Sequence, residues 1–444
     1  MLCSLLSEAE RPRARAATSL ALALCASIGC SSPGGAGAHA SASSSSGGST
    51  GTGTGTSTSG GTSGSSDDTS VPTDTSAADS SSGGVPVDPV RELLRLPDHL
   101  ETPYIPEFNP LTAEKIELGR HLFYDRRLSG NLEQSCSDCH FQELGFADPE
   151  TTPSGSTGTV LERNSQALGM VAYRTTFTWA SNVLLELEDQ LQVPLRNDNP
   201  VELGINDGNE AEVLARFDDD PMYAAMFAAA FPESESGATV NKIVFALASF
   251  CRTMIPGRSP YDRFVAGDHD ALTEQQRQGM TLFFGERFEC FHCHNGINLT
   301  TSYRDADTDP GSIQYPFFNN GLYNVGGDGS YPPYDQGLFE VTFDPDHRGL
   351  FRPPSLRNIA VTGPYMHDGS KATLRDVLDH YAAGGTVTAT GPYAGDGRVS
   401  PLKSGLVRGF PATDEEIDAV IAFLESMTDD EFLVDPAFAN PFEE

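Results

Sequence analysis

The chain is poor in basic residues. It carries 28 lysines and arginines against 62 aspartates and glutamates, which gives a formal net charge of -34. Such an excess of negative charge excludes nucleic acid as a partner and favours a neutral or basic protein. The chain also lacks a long apolar run. The stretch from Ala16 to Gly29 is too short to span a membrane as a mature helix, and no later stretch is long or apolar enough.

Cysteines that could form disulfide bonds are missing as well. Of the 8 cysteines, Cys3, Cys25 and Cys30 lie near the start of the chain, and four belong to two short motifs. Only Cys251 is left over, so the mature chain cannot contain an intrachain disulfide framework. Because Cys251 lies in an apolar run, we expect it to be a small buried core residue.

The first 90 residues are typical of an exported and tethered protein. Arginines precede the short apolar run, which predicts a signal peptide over residues 1–30. The end of that run, Ser27-Ile28-Gly29-Cys30, resembles a bacterial lipobox and predicts a lipid anchor at Cys30. Ordinary cleavage is the alternative, because leucine is usual where this chain has Ser27. Residues 31–90 are dominated by Ser, Gly, Thr and Ala, which predicts a disordered, flexible tether.

Two short stretches share the pattern Cys-x-x-Cys-His. They are Cys136-Ser137-Asp138-Cys139-His140 and Cys290-Phe291-His292-Cys293-His294. Two thiols three residues apart can bond both vinyl groups of one porphyrin, and the adjoining histidine reaches the iron from the proximal side. A thioredoxin-like pair needs no following histidine, and a zinc site would require the four cysteines to converge. The sequence therefore predicts two covalently bound c-type haems, with His140 and His294 as proximal iron ligands.

The segments that lead into the two motifs are similar. They are Gly119-x-x-Leu122-Phe123-Tyr124 and Gly279-x-x-Leu282-Phe283-Phe284, and each ends a predicted helix. A capping box at Thr273 begins the second of these helices. Another at Thr413 begins the last strong helix of the chain, which in a cytochrome c unit packs across the haem-bearing helix.

Strand patterns are sparse, so we expect a mainly α fold. The repeated pattern predicts two cytochrome c-like haem domains related by an internal repeat. The N-terminal domain, over residues 91–270, would hold the haem that reacts with peroxide. The C-terminal domain, over residues 271–444, would hold the haem that stores an oxidising equivalent.

Five stretches carry a resemblance to a known family. They are Glu117–Asp125, Arg163–Ser165, Asn199–Leu203, Ser259–Arg263 and Pro354–Gly369. Over about 110–429 the chain resembles the bacterial dihaem cytochrome c peroxidases and their MauG-type relatives. Within this superfamily it is most similar to MbnH-type dihaem enzymes. That resemblance implies a secreted partner protein, MbnP-like, in which a tryptophan is converted to kynurenine and a copper site is created.

The resemblance also implies the second ligand of the second iron. The stretch that ends at His380-Tyr381 matches the segment where peroxidases present a methionine, and the matching residue is Tyr381. A phenolate is a hard anionic donor that lowers the reduction potential and stabilises high-valent iron. The alternative is that Tyr381 packs at a helix end while His380 or Met366 binds the iron.

For the first haem, the resemblance implies an open distal face where hydrogen peroxide binds. It assigns Gln190, Pro194 and Glu202 to this face, and Glu202 could move a proton between the two peroxide oxygens. The alternative for Glu202 is a surface carboxylate after a turn. Trp179, the only tryptophan in the chain, matches a family residue that lies between the haems and can relay an electron; a core residue is the alternative.

A calcium ion between the haems is implied in the same way. Its ligands would be the side chain of Asn164 and the carbonyl oxygens of Thr362 and Pro364, with waters completing a hard oxygen shell.

These expectations lead to one function and two alternatives. The first is a haem enzyme of the periplasm or outer membrane of a Gram-negative bacterium. It would use hydrogen peroxide to form a high-valent bis-haem state and oxidise a tryptophan of its partner. The second is a peroxidase that reduces peroxide with electrons from a small cytochrome or cupredoxin. The third is an electron carrier with both irons six-coordinate.

Overall fold

The computed structural model describes residues 88–235 and 237–443, and the predicted signal peptide, lipidation site and nearly all of the tether lie outside them. These residues form a mainly helical body, as the sequence predicts. Its helices are α1 (Pro89–Leu93), α2 (Ala113–Tyr124), α3 (Leu187–Arg196), α4 (Glu210–Asp218), α5 (Pro221–Ala230), α6 (Val240–Arg252), α7 (Pro260–Val265), α8 (Glu274–Phe283), α9 (Phe339–Thr342), α10 (Leu374–Ala383) and α11 (Asp414–Glu425). One short antiparallel pair, β1 (Val387–Thr388) and β2 (Gly395–Asp396), joins Val387 to Asp396 in register.

Polar side chains fix where helices α8 and α11 begin. Thr273 accepts a hydrogen bond from the Gln276 backbone, and the Gln276 side chain accepts one from the Thr273 backbone, which forms the predicted capping box of α8. Thr413 and Glu416 do the same for α11. Such boxes satisfy the backbone N–H groups that the first turn of a helix leaves free.

Two helix pairs form the two cores of the body. Helix α2 packs on α6, and helix α8 packs on α11. At the first crossing, a Cβ on Gly119 would lie 2.0 Å from the carbonyl oxygen of Ala246. At the second, a Cβ on Gly279 would lie 1.8 Å from the carbonyl oxygen of Ala419. Only glycine allows these approaches, which explains the glycine in both segments; the wider idea of an internal repeat stays a prediction.

The two cores are separate apolar clusters. The first is centred on α2 and α6, and the second on α8 and α11. Cys251 lies in the first with only 2% of its surface exposed, which confirms the expectation of a buried core residue. Within residues 88–235 and 237–443, no helix has both the length and the apolarity needed to cross a bilayer.

Candidate functional site

Both Cys-x-x-Cys-His motifs form a single tight turn. Short 3-10 turns span Cys136–Asp138 and Cys290–His292, so the two thiols of each motif project from one turn. The Nδ1 atom of His140 lies 2.8 Å from the carbonyl oxygen of Phe146, and that of His294 lies 3.0 Å from Leu299 O. These contacts make Nδ1 the protonated nitrogen of each ring and leave Nε2 for iron.

Burial lowers the pKa values of both motif histidines. The pKa of His140 is lowered to about 4 and that of His294 to about 4. Both rings are therefore neutral at physiological pH, which is the form that ligates iron. The cysteines of both motifs are free thiols, as covalent haem attachment requires.

A cavity of about 450 Å³ opens beside the second motif. Its walls include Cys290, Cys293, His294, Trp179, Met366 and Tyr381. Two thiols and a neutral imidazole therefore share one largely apolar space with a phenol and a thioether. This donor set fits a c-type haem with one axial ligand from the motif and a second from the protein.

Tyr381 and His380 sit side by side on α10 but have different surroundings. Burial and the nearby Cys293 raise the pKa of Tyr381, so its side chain lies close to the second motif. The ring of His380 is engaged elsewhere: Nδ1 lies 2.7 Å from Thr386 Oγ1, and Nε2 lies 3.1 Å from Asn320 O. Of the alternatives to Tyr381, only Met366 also lines the cavity.

The residues predicted for the first haem are close to its motif. Gln190 and Pro194 are four residues apart on α3 and share one face of it. The backbone N–H of Leu203 donates to the carbonyl oxygen of Pro194 at 2.9 Å, which holds Glu202 beside that helix. Burial raises the pKa of Glu202 to about 7. The side-chain oxygen of Gln190 is buried without a hydrogen-bond partner among the described residues.

Charge interactions connect Glu202 to the first motif. Burial, followed by smaller contributions that include the charge of Glu202, raises the pKa of Cys136 and that of Cys139. The carboxyl of Glu202 thus lies close enough to both thiols of the first motif for its charge to act on them. It offers a protonatable group beside that motif.

Trp179 and the residues predicted to bind calcium belong to the second cavity. The indole N–H of Trp179 donates to the carbonyl oxygen of Asn164 at 2.8 Å. Asn164, Thr362 and Pro364 all line the cavity that Trp179 lines. The amide nitrogen of Asn164 donates to Glu150 O at 3.0 Å, which leaves the side-chain oxygen as the atom available to a cation.

Sequence reasoning missed three polar residues of this cavity, namely Arg174, Arg352 and Gln166. Arg174 and Arg352 line it, and both hydrogen-bond to the side-chain oxygen of Gln166. Neither arginine has a carboxylate partner among the described residues. Arg352 lies two residues before the last of the resemblance stretches, and that proximity was the only signal in the sequence.

Comparison with known proteins agrees with this geometry. A family model described as di-haem cytochrome c peroxidase matches residues 113–270. Cytochrome-c peroxidase IdrP1 of Denitromonas iodatirespirans is 32% identical over 355 residues, which cover 76% of this chain and 88% of that protein. The chain belongs to the di-haem cytochrome c peroxidase family. The predictions of this family and of an enzyme are confirmed.

Other relatives extend the likeness. Methylamine utilization protein MauG of Methylorubrum extorquens is 31% identical over 323 residues, covering 72% of this chain and 80% of that one. A crystal structure of a MauG-like protein associated with microbial copper homeostasis matches with a TM-score of 0.76 and 45% identity, covering 78% of this chain and 99% of that chain. Membership of the di-haem cytochrome c peroxidase family makes the protein a haem-dependent oxidoreductase and implies two c-type haems.

Proposed function

We propose that this di-haem enzyme uses hydrogen peroxide to oxidise a tryptophan of a secreted, MbnP-like partner protein toward kynurenine, as part of making a copper site. The observation that carries the proposal is Tyr381 in the cavity of the second motif. With a haem held by Cys290, Cys293 and His294, a phenolate from Tyr381 would favour oxidised iron, whereas a thioether would favour reduced iron. A haem with that ligand pair suits the storage of an oxidising equivalent.

The residues at the first motif would manage the protons of peroxide. Haem supplies the redox chemistry when bound, since peroxide takes up two electrons that the substrate later restores. Glu202, whose pKa is raised to about 7, can accept the proton of one peroxide oxygen and return it to the other. Gln190 would hold the peroxide by a hydrogen bond from its amide, and Pro194, whose side chain offers no donor to a metal, would leave room for the peroxide.

The residues of the second cavity would connect the two haems. Trp179 offers an indole that can pass an electron between them, and its N–H bond to Asn164 O fixes the ring. We propose a calcium ion at the side-chain oxygen of Asn164 and the carbonyl oxygens of Thr362 and Pro364, because calcium prefers such hard oxygen donors. Chelation followed by redetermination of the optical spectrum and metal content tests this site.

The identity of the partner is supported by two observations. The solved structure with 45% identity is of a MauG-like protein associated with microbial copper homeostasis. The excess of 62 acidic over 28 basic residues suits docking of a neutral or basic protein. The protein would act in the periplasm or at the outer membrane, held through a lipid at Cys30.

Mass spectrometry tests the proposal directly. A secreted MbnP-like protein is incubated with the holoenzyme and hydrogen peroxide, and its peptides are then analysed. We expect oxygen added to one tryptophan, and much less of it with Trp179→Phe. Consumption of peroxide with no change in the partner's mass would contradict the proposal.

One alternative has an observation of its own. Met366 lines the cavity and its sulfur lies 3.4 Å from Asn320 Nδ2, so a His/Met haem can be built from the same space. Such a haem would suit a peroxidase that takes electrons from a small cytochrome or cupredoxin, and relatives at 32% identity are named cytochrome-c peroxidases. Steady-state peroxide reduction with a reduced cytochrome distinguishes the two functions.

A further inference from the structure

Arg352 and Arg174 are buried cations with no carboxylate partner in the part of the chain that the structure describes. Arg352 is 1% exposed and Arg174 is 7% exposed. The hydrogen bonds of Arg352 go to neutral oxygens, namely Thr178 O at 3.2 Å, Pro353 O at 3.4 Å and the amide of Gln166. Arg174 donates to the same amide at 3.4 Å and to Ala167 O, while its Nε has no partner among the described residues.

Two buried cations with no anion nearby would destabilise the folded protein. An isolated charge in a protein interior costs several kcal/mol or more, and a guanidinium does not escape the cost by losing its proton. The two cations also repel each other: burial and the charge of Arg174 hold the pKa of Arg352 well below its usual range. Burial lowers the pKa of Arg174 to about 10. The pair therefore requires an anion.

Other buried arginines of the chain show what such a partner normally is. Arg357 lines the same cavity, and its Nη1 lies 2.6 Å from Asp262 Oδ1. Arg252, in the first core, lies 2.6 Å from Glu188 Oε1. Within residues 88–235 and 237–443, Arg352 and Arg174 have no carboxylate of this kind, and the cavity that they line has room for a bound anion.

The position of the pair identifies the chemical class of that partner. Both arginines line the cavity of the second motif. Both cations thus lie in the space that would hold the second haem. A c-type haem, fixed by its vinyl side to two cysteines, carries two carboxylates on the opposite edge.

We propose that Arg352 and Arg174 bind the propionate carboxylates of the haem held in the cavity of the second motif. A guanidinium matches a carboxylate in a two-bonded geometry, which satisfies both charges at once. The inference depends on haem in the cavity, which family membership implies, and is independent of the partner that the enzyme oxidises.

Arg352 also connects the propionate to Trp179. Its backbone N–H donates to the carbonyl oxygen of Trp179 at 2.8 Å, and its Nε donates to Thr178 O at 3.2 Å. The residue that binds the carboxylate therefore fixes the peptide that carries the indole. Arg352 is a positioning residue for Trp179 as well as a partner for the haem.

The reduction potentials of the purified ferric holoprotein test the proposal without peroxide or a partner. In Arg352→Gln the ionised propionate loses its cationic partner, and its negative charge then favours the oxidised haem. The potentials are measured at alkaline pH, where the propionate is ionised. We expect the reduction equilibrium of one haem to shift roughly tenfold or more, about 59 mV for one electron, toward the oxidised form. Arg352→Lys, which keeps the charge, should shift it less. The propionate bending modes in the resonance Raman spectrum should move in Arg352→Gln.

Arg398→Gln is the matched control. Arg398 lies outside this cavity, is partly exposed, and its Nη2 lies 2.7 Å from Asp396 Oδ2, so both potentials should stay at their wild-type values. Arg174→Gln provides a second variant should Arg352→Gln fail to accumulate. Unchanged potentials in Arg174→Gln, or in a folded Arg352→Gln, with unchanged Raman modes would overturn the proposal.

Discussion

The two halves of the body share a frame and differ in what faces the haem. In each half a glycine lets one helix touch the backbone of another, Gly119 against Ala246 and Gly279 against Ala419. In each half the motif histidine has its Nδ1 bound to a backbone carbonyl a few residues later. The local contacts around the two motifs are therefore alike.

The residues predicted to act at the two haem sites are different. The first half presents a carboxyl and a carboxamide, Glu202 and Gln190, whereas the second presents the phenol of Tyr381. A carboxyl with its pKa near 7 moves protons, and a phenolate stabilises oxidised iron. Under the proposed function, the two sites would differ in chemistry because different side chains accompany the two motif histidines.

Glu202→Gln gives the largest expected effect. A neutral amide cannot accept the peroxide proton, so the rate constant for the reaction with peroxide should fall about 10²–10⁴-fold. Stopped-flow absorbance of the holoenzyme measures it. Glu212→Gln, an exposed carboxylate on α4, is the matched control and should react like the wild type. Equal rates for the two variants would remove Glu202 from the reaction.

The same residue predicts a pH profile. Burial raises the pKa of Glu202 to about 7, and only the ionised carboxylate can accept a proton. The rate constant should therefore rise with pH up to about 7, by roughly tenfold per unit, and level off above that value. The rise should be absent in Glu202→Gln; a profile that keeps its inflection in that variant would point to another base.

Alanine at the two helix crossings tests how alike the halves are. A Cβ on Gly279 would lie 1.8 Å from a backbone oxygen and one on Gly119 would lie 2.0 Å away. Each substitution should lower the free energy of unfolding by about 1–3 kcal/mol or more. Gly405→Ala is the control, since no atom lies within 4 Å of the added carbon. Denaturant unfolding of the holoprotein measures all three, and a large loss at one crossing only would show that the crossings differ.

Much of the frame could be predicted from the sequence, because it depends on local patterns. The capping boxes at Thr273 and Thr413 gave the helix starts, and motif spacing gave the attachment residues. The second cavity was harder. Tyr381 and His380 are neighbours on α10, and a helix turns by about 100° between them, so only the resemblance distinguished them. Arg352 and Arg174 lie on loops that are distant in sequence and close in space, and no periodic pattern in the sequence predicts such a contact.

The ligand of the second iron is the central claim, and near-infrared magnetic circular dichroism of the ferric holoprotein tests it most directly. Methionine ligation gives a sulfur-to-iron charge-transfer band in this region, which a phenolate, having no sulfur, cannot give. We expect no such band in the wild type, a changed spectrum of one haem in Tyr381→Phe, and a wild-type spectrum in Met366→Leu. A band in the wild type that Met366→Leu abolishes and Tyr381→Phe preserves would contradict the claim.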